Sequence, residues 1–434
     1  MKQISSILII GQCSLHWGRM EFGNIGNYYI AEPFFEELRK VFPNIVLKTT
    51  MQFSDSFCEK FRIQTLPLEC YYNFNSEDNL EVAKRELESV MGCGKDVESR
   101  YIEEVESSDL VIDFSGDMWG DNADFLGKDR FETGLYKDIT AQVLKPTVLL
   151  AGSPGPFGDE RIKKLAKKVF ERFKMVANRE PISTRILKAE GFDISHVVDS
   201  ACPSFLFQQL DKAGVSELLR KEEIEISGKP AVGFILCGWN FEKGPYSLWP
   251  REDSEYETFV ETITNMIDKY DVQIYLISHA NGFKVPPADF ELISGRDYPL
   301  MEQLEQILGT RGYKESVTLI RTPYLPRQIK GIIGELDMLI SGRMHGAVAG
   351  ISQCIPTVMI DYGHEPKAHK VSGFAEITGL EKFIASPVKF GELLETTERC
   401  WNEREKIQDM LKKRIPEIQE TARKQFEILK EIED

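Results

Sequence analysis

The chain has 434 residues, of which 42% are hydrophobic and 28% charged, with a formal net charge of −16. That length exceeds what one hydrophobic core usually serves, so two domains are expected. The negative balance argues against nucleic acid or an anionic membrane surface as the main partner, while leaving room for a small basic pocket for an anionic substrate.

No apolar run reaches the length of a membrane span. The start, Met1 to Gly11, reads as a first buried strand rather than a signal peptide. Eight scattered cysteines, none in CxxC spacing, predict a reduced, cytoplasmic protein without a zinc framework. In chain order, Ile7 to Ile10 reads as a strand and Gly11 to Gly26 as a glycine-broken loop. A helix follows from about Tyr28 to Val41, with Ile30, Phe34, Phe35 and Leu38 on one face. Ile45 to Leu47 is the next strand, and residues 51–78 give no clear pattern.

Helical patterns at about 79–91 and 96–106 lead to the apolar strand Leu110 to Phe114. That strand ends in Ser115-Gly116-Asp117-Met118-Trp119-Gly120-Asp121, where the aspartates could orient hydroxyl groups or simply form turns. A helix from about Gly134 precedes the strand Thr147 to Ala151, which ends in a second glycine-rich loop, Gly152 to Gly158. Helix 160–173, strand 175–177, helix 182–190 and strand 197–198 complete this half. Strands that end in glycine loops and lead into helices signal an open parallel sheet, with ligands bound at the carboxyl ends. Neither a Gly-x-Gly-x-x-Gly fingerprint nor a Gly-Lys-Ser/Thr phosphate loop is present, which speaks against a nicotinamide enzyme or a nucleotide hydrolase. No cofactor and no metal is expected.

A charged segment from about Gln208 to Lys229 separates the halves, and the same rhythm restarts at Val232 to Leu236. The strand Ile274 to Ser278 delivers His279, and the tail from Gly391 is a long charged helix containing Pro416. The expected fold is α/β, with two Rossmann-like domains at 1–210 and 228–390 facing across a cleft, and a helical tail at 391–434. The cleft is the default binding site. Within the second domain, Met338 to Ile340 is a short buried strand broken by Ser341-Gly342, so Arg343 and His345 fall where a helix begins. Free N–H groups and the positive dipole end suit an anion there, and an arginine fork suits phosphate or carboxylate. Alone, these residues also read as an ordinary ion-pair arginine and a turn histidine.

An ordered set of motifs gives this stretch more weight. Gly23-Asn24-Ile25-Gly26-Asn27, Ser108 to Ile112 with Gly116-Asp117, Gly152 to Gly158 and Ala177-Asn178-Arg179-Glu180-Pro181-Ile182-Ser183 come first. Asp199 to Phe205, Ser341-Gly342-Arg343-Met344-His345-Gly346 and Tyr362 to Lys367 follow. Together they resemble the polysaccharide pyruvyl transferase family, which moves pyruvate from phosphoenolpyruvate to a sugar as a ketal on a GT-B-like fold. This chain departs from the family pattern at Asn27 and Glu180, where aspartate is usual, at Met344 in place of leucine, and in a longer second domain.

The resemblance implies that Arg179, Arg343, His345 and Lys367 clamp phosphoenolpyruvate, with Asn24 and Asn27 also contacting substrate. His345, His279 and Asp117 are the candidate acid, base or orienting groups. His345 could either contact phosphate or donate a proton. The implied partners are phosphoenolpyruvate and a sugar or lipid-linked oligosaccharide acceptor in exopolysaccharide or cell-wall glycan synthesis, with peripheral contact to a membrane-bound acceptor. The alternatives are a nucleotide-sugar-dependent GT-B glycosyltransferase and a non-catalytic glycan-binding protein.

Overall fold

The first strand, β1 (Ser6–Ile10), has Ile7 to Ile10 fully buried, as a strand covered on both faces requires. In the computed structural model, which describes residues 4–224, 226, 228–244, 247–285, 289–362 and 368–432, it is central to a seven-stranded parallel sheet. α1 (Ile25–Val41), β2 (Val46–Thr49), α2 (Asp55–Phe61) and β3 (Ile63–Thr65) follow, then α3 (Asn79–Val90) and α4 (Arg100–Glu106). β4 (Leu110–Asp113), α5 (Arg130–Leu144), β5 (Thr147–Gly152) and α6 (Glu160–Phe170) continue the alternation. β6 (Met175–Asn178), α7 (Pro181–Ala189) and β7 (Val197–Val198) close it. The strand order is β3-β2-β1-β4-β5-β6-β7, so the winding reverses between β1 and β4. Loops diverge at such a reversal and leave a crevice at the carboxyl ends of the strands.

The second sheet repeats the design. After α8 (Lys212–Lys221) come β8 (Ala231–Ile235), α9 (Glu257–Tyr270), β9 (Gln273–Leu276) and an antiparallel hairpin of β10 (Asn281–Lys284) and β11 (Glu291–Ser294). α10 (Tyr298–Thr310), β12 (Val317–Leu319), α11 (Pro326–Gly334), β13 (Met338–Ser341), α12 (Met344–Ile351) and β14 (Thr357–Ile360) follow. α13 (Ala368–Thr378), β15 (Ile384–Ala385) and α14 (Glu392–Glu427) complete the chain's regular elements. The parallel order β12-β9-β8-β13-β14-β15 reverses between β8 and β13.

The chain forms two compact units that are discontinuous in sequence. One comprises Met1–Met20, Glu32–Pro203 and Glu420–Asp434, the other Glu21–Ala31 and Ser204–Gln419. The first turns of α1 therefore belong to the second unit. Ile25 and Tyr29 join its core beside Phe207, Ile277, Leu339 and Ala349. The tail is one helix, whose Cys400, Ile407, Leu411, Ile415, Ile418, Ala422 and Phe426 are buried at helical spacing. It too is shared out, since Gln419 donates to the Phe205 carbonyl in the second unit and Gln425 to the Ala201 carbonyl in the first. The stretch without a clear sequence pattern holds α2 and β3, fixed by an aromatic cluster of Phe35, Phe53, Phe57 and Phe61.

One buried polar pair in the first unit has a measurable consequence. Asp113 at the end of β4 and Asp138 on α5 interact as a buried carboxyl pair, while Trp119 Nε1 donates to Asp138 at 3.2 Å and the Ser115 hydroxyl donates to Asp113. Burial raises both carboxyls, Asp113 to about 6 and Asp138 further under the added weight of its neighbour's charge. The folded state therefore holds a proton that the unfolded chain gives up near pH 4, so stability falls as pH rises through about 6. Asn at position 138 can donate to Asp113 and accept from Trp119. Asp138→Asn is expected to stabilise the protein at pH 8 by on the order of 1–3 kcal/mol. The gain should vanish towards pH 4 in denaturant melts.

Candidate functional site

Both sheet reversals carry residues singled out in the sequence. In the first unit, the loop after β4 turns through Gly116 at φ +60°, a conformation that suits glycine. A side chain there would reach the Cys13 sulfur and Nη1 of Arg179. Arg179, at the end of β6, is almost fully buried. Its Nε donates to the Ser153 hydroxyl at 2.8 Å, and Nη2 lies 3.9 Å from the Asp117 carboxylate. Glu180 accepts from the Ser183 N–H at 3.0 Å and from the Ser183 and Ser153 hydroxyls, so this departure from aspartate caps α7 and braces the arginine loop. Arg179 and Asp117 thus share one crevice. Asp121 does not join them: its carboxylate accepts from the Gly158 N–H at 2.6 Å and acts as a turn-former between the two glycine loops. Burial pushes the neighbouring Cys13 thiol up to about 12, with the Asp117 charge adding to the effect, so it is not a thiolate nucleophile at neutral pH.

The second unit concentrates more of the candidates. After β13 the chain turns at Gly342, whose carbonyl accepts from Cys237 Sγ and from Asn240 Nδ2 in the loop after β8. A Cβ on Gly342 would lie 2.0 Å from Asn240 Oδ1, so this turn requires glycine. Arg343 caps α12 in extended conformation, and the Ser341 hydroxyl donates to its carbonyl at 2.8 Å. His345 is half-buried in the first turn of α12, edge-on to Phe374. Gly26 packs directly against it: a Cβ on Gly26 would lie 2.7 Å from His345 Cβ and 2.8 Å from Nδ1. Asn24 accepts from the Gly26 N–H at 3.1 Å and forms an antiparallel bridge with Ala280. The Gly-Asn motif is therefore built against the stretches carrying His279 and His345. Asn27 is half-buried in the first turn of α1.

His279 is completely buried beside the Tyr29 ring, and neither of its ring nitrogens has a hydrogen-bond partner among the described residues. Burial, then the charges of Arg343 and His345, hold its pKa well below the usual histidine value. Its neutral imidazole form is favoured, which can accept a proton or donate a hydrogen bond but is unsuited to neutralising an anion.

Arg343 has an internal partner that the sequence did not indicate. Its Nε donates to Asp297 Oδ2 at 2.8 Å and its Nη2 to Oδ1 at 2.5 Å. Both readings of Arg343 thus have a physical basis, since it is an ion-pair residue placed at a helix start. Asp297 gave no sequence signal because it follows an irregular hairpin insertion. Lys367 lies outside the described residues.

The arrangement gives the second crevice the N-terminal end of α12, an imidazole on its first turn, one arginine nitrogen beyond the Asp297 bonds and a buried histidine behind. Those are the parts for holding an anion and moving a proton next to it. The polysaccharide pyruvyl transferase profile matches residues 24–364. The chain belongs to that family. The amylovoran biosynthesis protein AmsJ of Erwinia amylovora is 21% identical over 269 residues, covering 61% of this chain and 60% of AmsJ.

Among solved structures, a glycosyltransferase from Rickettsia africae superposes with a TM-score of 0.60 at 13% identity, covering 99% of both chains. A UDP-N-acetylglucosamine 2-epimerase from Neisseria meningitidis gives 0.56 at 12% identity, covering 98% of this chain and all of the other. These likenesses establish the fold: two α/β domains with parallel sheets, like those of GT-B-type proteins, and a long C-terminal helix. Among the described residues, no helix is long and apolar enough to cross a membrane.

Proposed function

We propose that this protein transfers the pyruvyl group of phosphoenolpyruvate to a sugar as a ketal, in the synthesis of an exopolysaccharide or cell-wall glycan. The observation that carries this reading is the convergence on the α12 start of residues 24–26, 279 and 343–345. Two of these three stretches are the family's own motifs. Phosphoenolpyruvate carries a phosphate and a carboxylate, and the helix start with His345 and the remaining Arg343 nitrogen matches such a dianionic group.

In the reaction, C3 of the enol takes a proton and positive charge develops at C2. One sugar hydroxyl adds there and loses its proton, the C2–O bond to phosphate breaks, and a second hydroxyl closes the ketal. Of the two hydroxyl protons, one replaces the proton taken up at C3 and the other leaves on inorganic phosphate, so the step balances without a redox partner. His345 contacts the phosphate, since a helix start suits an anion better than a vinyl carbon. His279, buried behind the same crevice with a lowered pKa, would act as a proton acceptor. Within the first unit's own crevice, Asp117 beside Arg179 is suited to orienting or deprotonating a sugar hydroxyl. The acceptor is a sugar or lipid-linked oligosaccharide, met in the cytoplasm at the membrane surface.

The test is a melting-temperature screen. Phosphoenolpyruvate at about 100 times its Kd should stabilise the fold by about 2.7 kcal/mol, whereas UDP and GDP should leave it unchanged. Stabilisation by a nucleoside diphosphate alone would move the assignment to glycosyl transfer.

A further inference from the structure

We infer that Asp297 is a positioning residue of the donor site, acting through Arg343; this rests on the function proposed above. Asp297 is 1% exposed and immediately precedes α10, yet its side chain makes no capping bond to that helix. Its carboxylate instead takes Nε and Nη2 of Arg343 in a two-pronged, charge-assisted fork. Of the five guanidinium N–H groups, the fork uses two and leaves the Nη1 pair and one on Nη2 outside it, so the rotation of the whole planar group is fixed by one carboxylate.

The backbone makes that placement reproducible. Gly295 packs so closely on the chain after His279 that a Cβ there would lie 2.2 Å from the Ala280 carbonyl oxygen. Ala280 is in turn bridged to Asn24. The β10–β11 hairpin thus returns the chain to the crevice with Asp297 facing Arg343, and the same few residues hold His279 and the Gly26 wall of His345.

The pair also sets the local charge. Arg343 and Asp297 together are neutral, so the electrostatic attraction for a dianion here is that of the helix start, and Nη1 adds a directed bond rather than a free positive charge. A buried ion pair that served folding alone could be replaced by apolar groups of similar volume with little loss. One that aims a substrate contact could not.

The experiment is a double-mutant cycle on the full chain, with steady-state kinetics in phosphoenolpyruvate and acceptor. Asp297→Asn should lower kcat/KM for phosphoenolpyruvate by about 10- to 100-fold, as loss of a residue orienting a ligand-touching group does, with acceptor KM unchanged. In the Arg343→Ala background, Asp297→Asn should cause no further loss, because its only route to the substrate is gone. Asp297→Glu keeps the charge but shifts the fork. It should fold with an intermediate kcat/KM even if the asparagine variant does not fold.

Losses that multiply in the double variant would overturn the inference, as would folded Asp297→Asn or Asp297→Glu protein with wild-type kinetics. Wild-type protein that neither turns over phosphoenolpyruvate nor is stabilised by it would overturn the functional reading, and the positioning role with it.

Discussion

Arg343→Ala is expected to lower kcat/KM for phosphoenolpyruvate by roughly 30- to 1000-fold, the equivalent of about 2–4 kcal/mol for a buried charge-assisted contact. The structure adds a second consequence. Removing the guanidinium leaves Asp297 buried without its partner, and breaking a buried pair in this way costs on the order of 3–5 kcal/mol of stability. Arg343→Lys separates the two effects. Its ammonium keeps the charge and can reach one carboxylate oxygen, so folding should be largely retained. It cannot hold both oxygens and still present a third nitrogen to the substrate, so kcat/KM should fall nearly as far as in the alanine variant. Denaturant melts beside initial rates measure both.

The second large effect is at His345. With phosphate contact as its role, His345→Gln should raise KM for phosphoenolpyruvate by on the order of 10- to 100-fold and leave kcat within a few-fold. The pH–rate profile should keep its acid limb. A proton donor would behave in the opposite way, with near-normal binding, lost turnover and a changed acid limb. Glutamine is the informative replacement because its Cβ preserves the contact with Gly26, where the space is closed. Near-wild-type rates in folded Arg343→Ala and His345→Ala proteins would remove this stretch from the active site altogether.

The two parallel sheets were legible because strands buried on both faces appear as short apolar runs ending in glycine loops, as at Leu110 to Gly116 and Met338 to Gly342. The helix start at Arg343 was legible for the same reason. The place of residues 21–31 was not: a sequence cannot show that a loop after the first strand is built into the second unit, yet that is how Gly26 comes to wall His345. Asp297 was hidden for a related reason. β10 and β11 are four residues each, with weak alternation, and the carboxylate that fixes Arg343 is 46 residues away along the chain. The aspartate-rich loop after β4 held two chemistries under one residue type. Only the bond from the Gly158 N–H to Asp121 and the approach of Arg179 to Asp117 tell them apart.

The most direct measurement follows the carbon. The protein is incubated with phosphoenolpyruvate labelled with carbon-13 at C2, unlabelled nucleotide sugars and a panel of sugars and lipid-linked sugars that each offer two neighbouring free hydroxyls. The expected result is a labelled, acid-labile ketal on one acceptor, with one inorganic phosphate released per ketal. Label that remains in phosphoenolpyruvate while a hexose moves from a nucleotide sugar to the acceptor would contradict it.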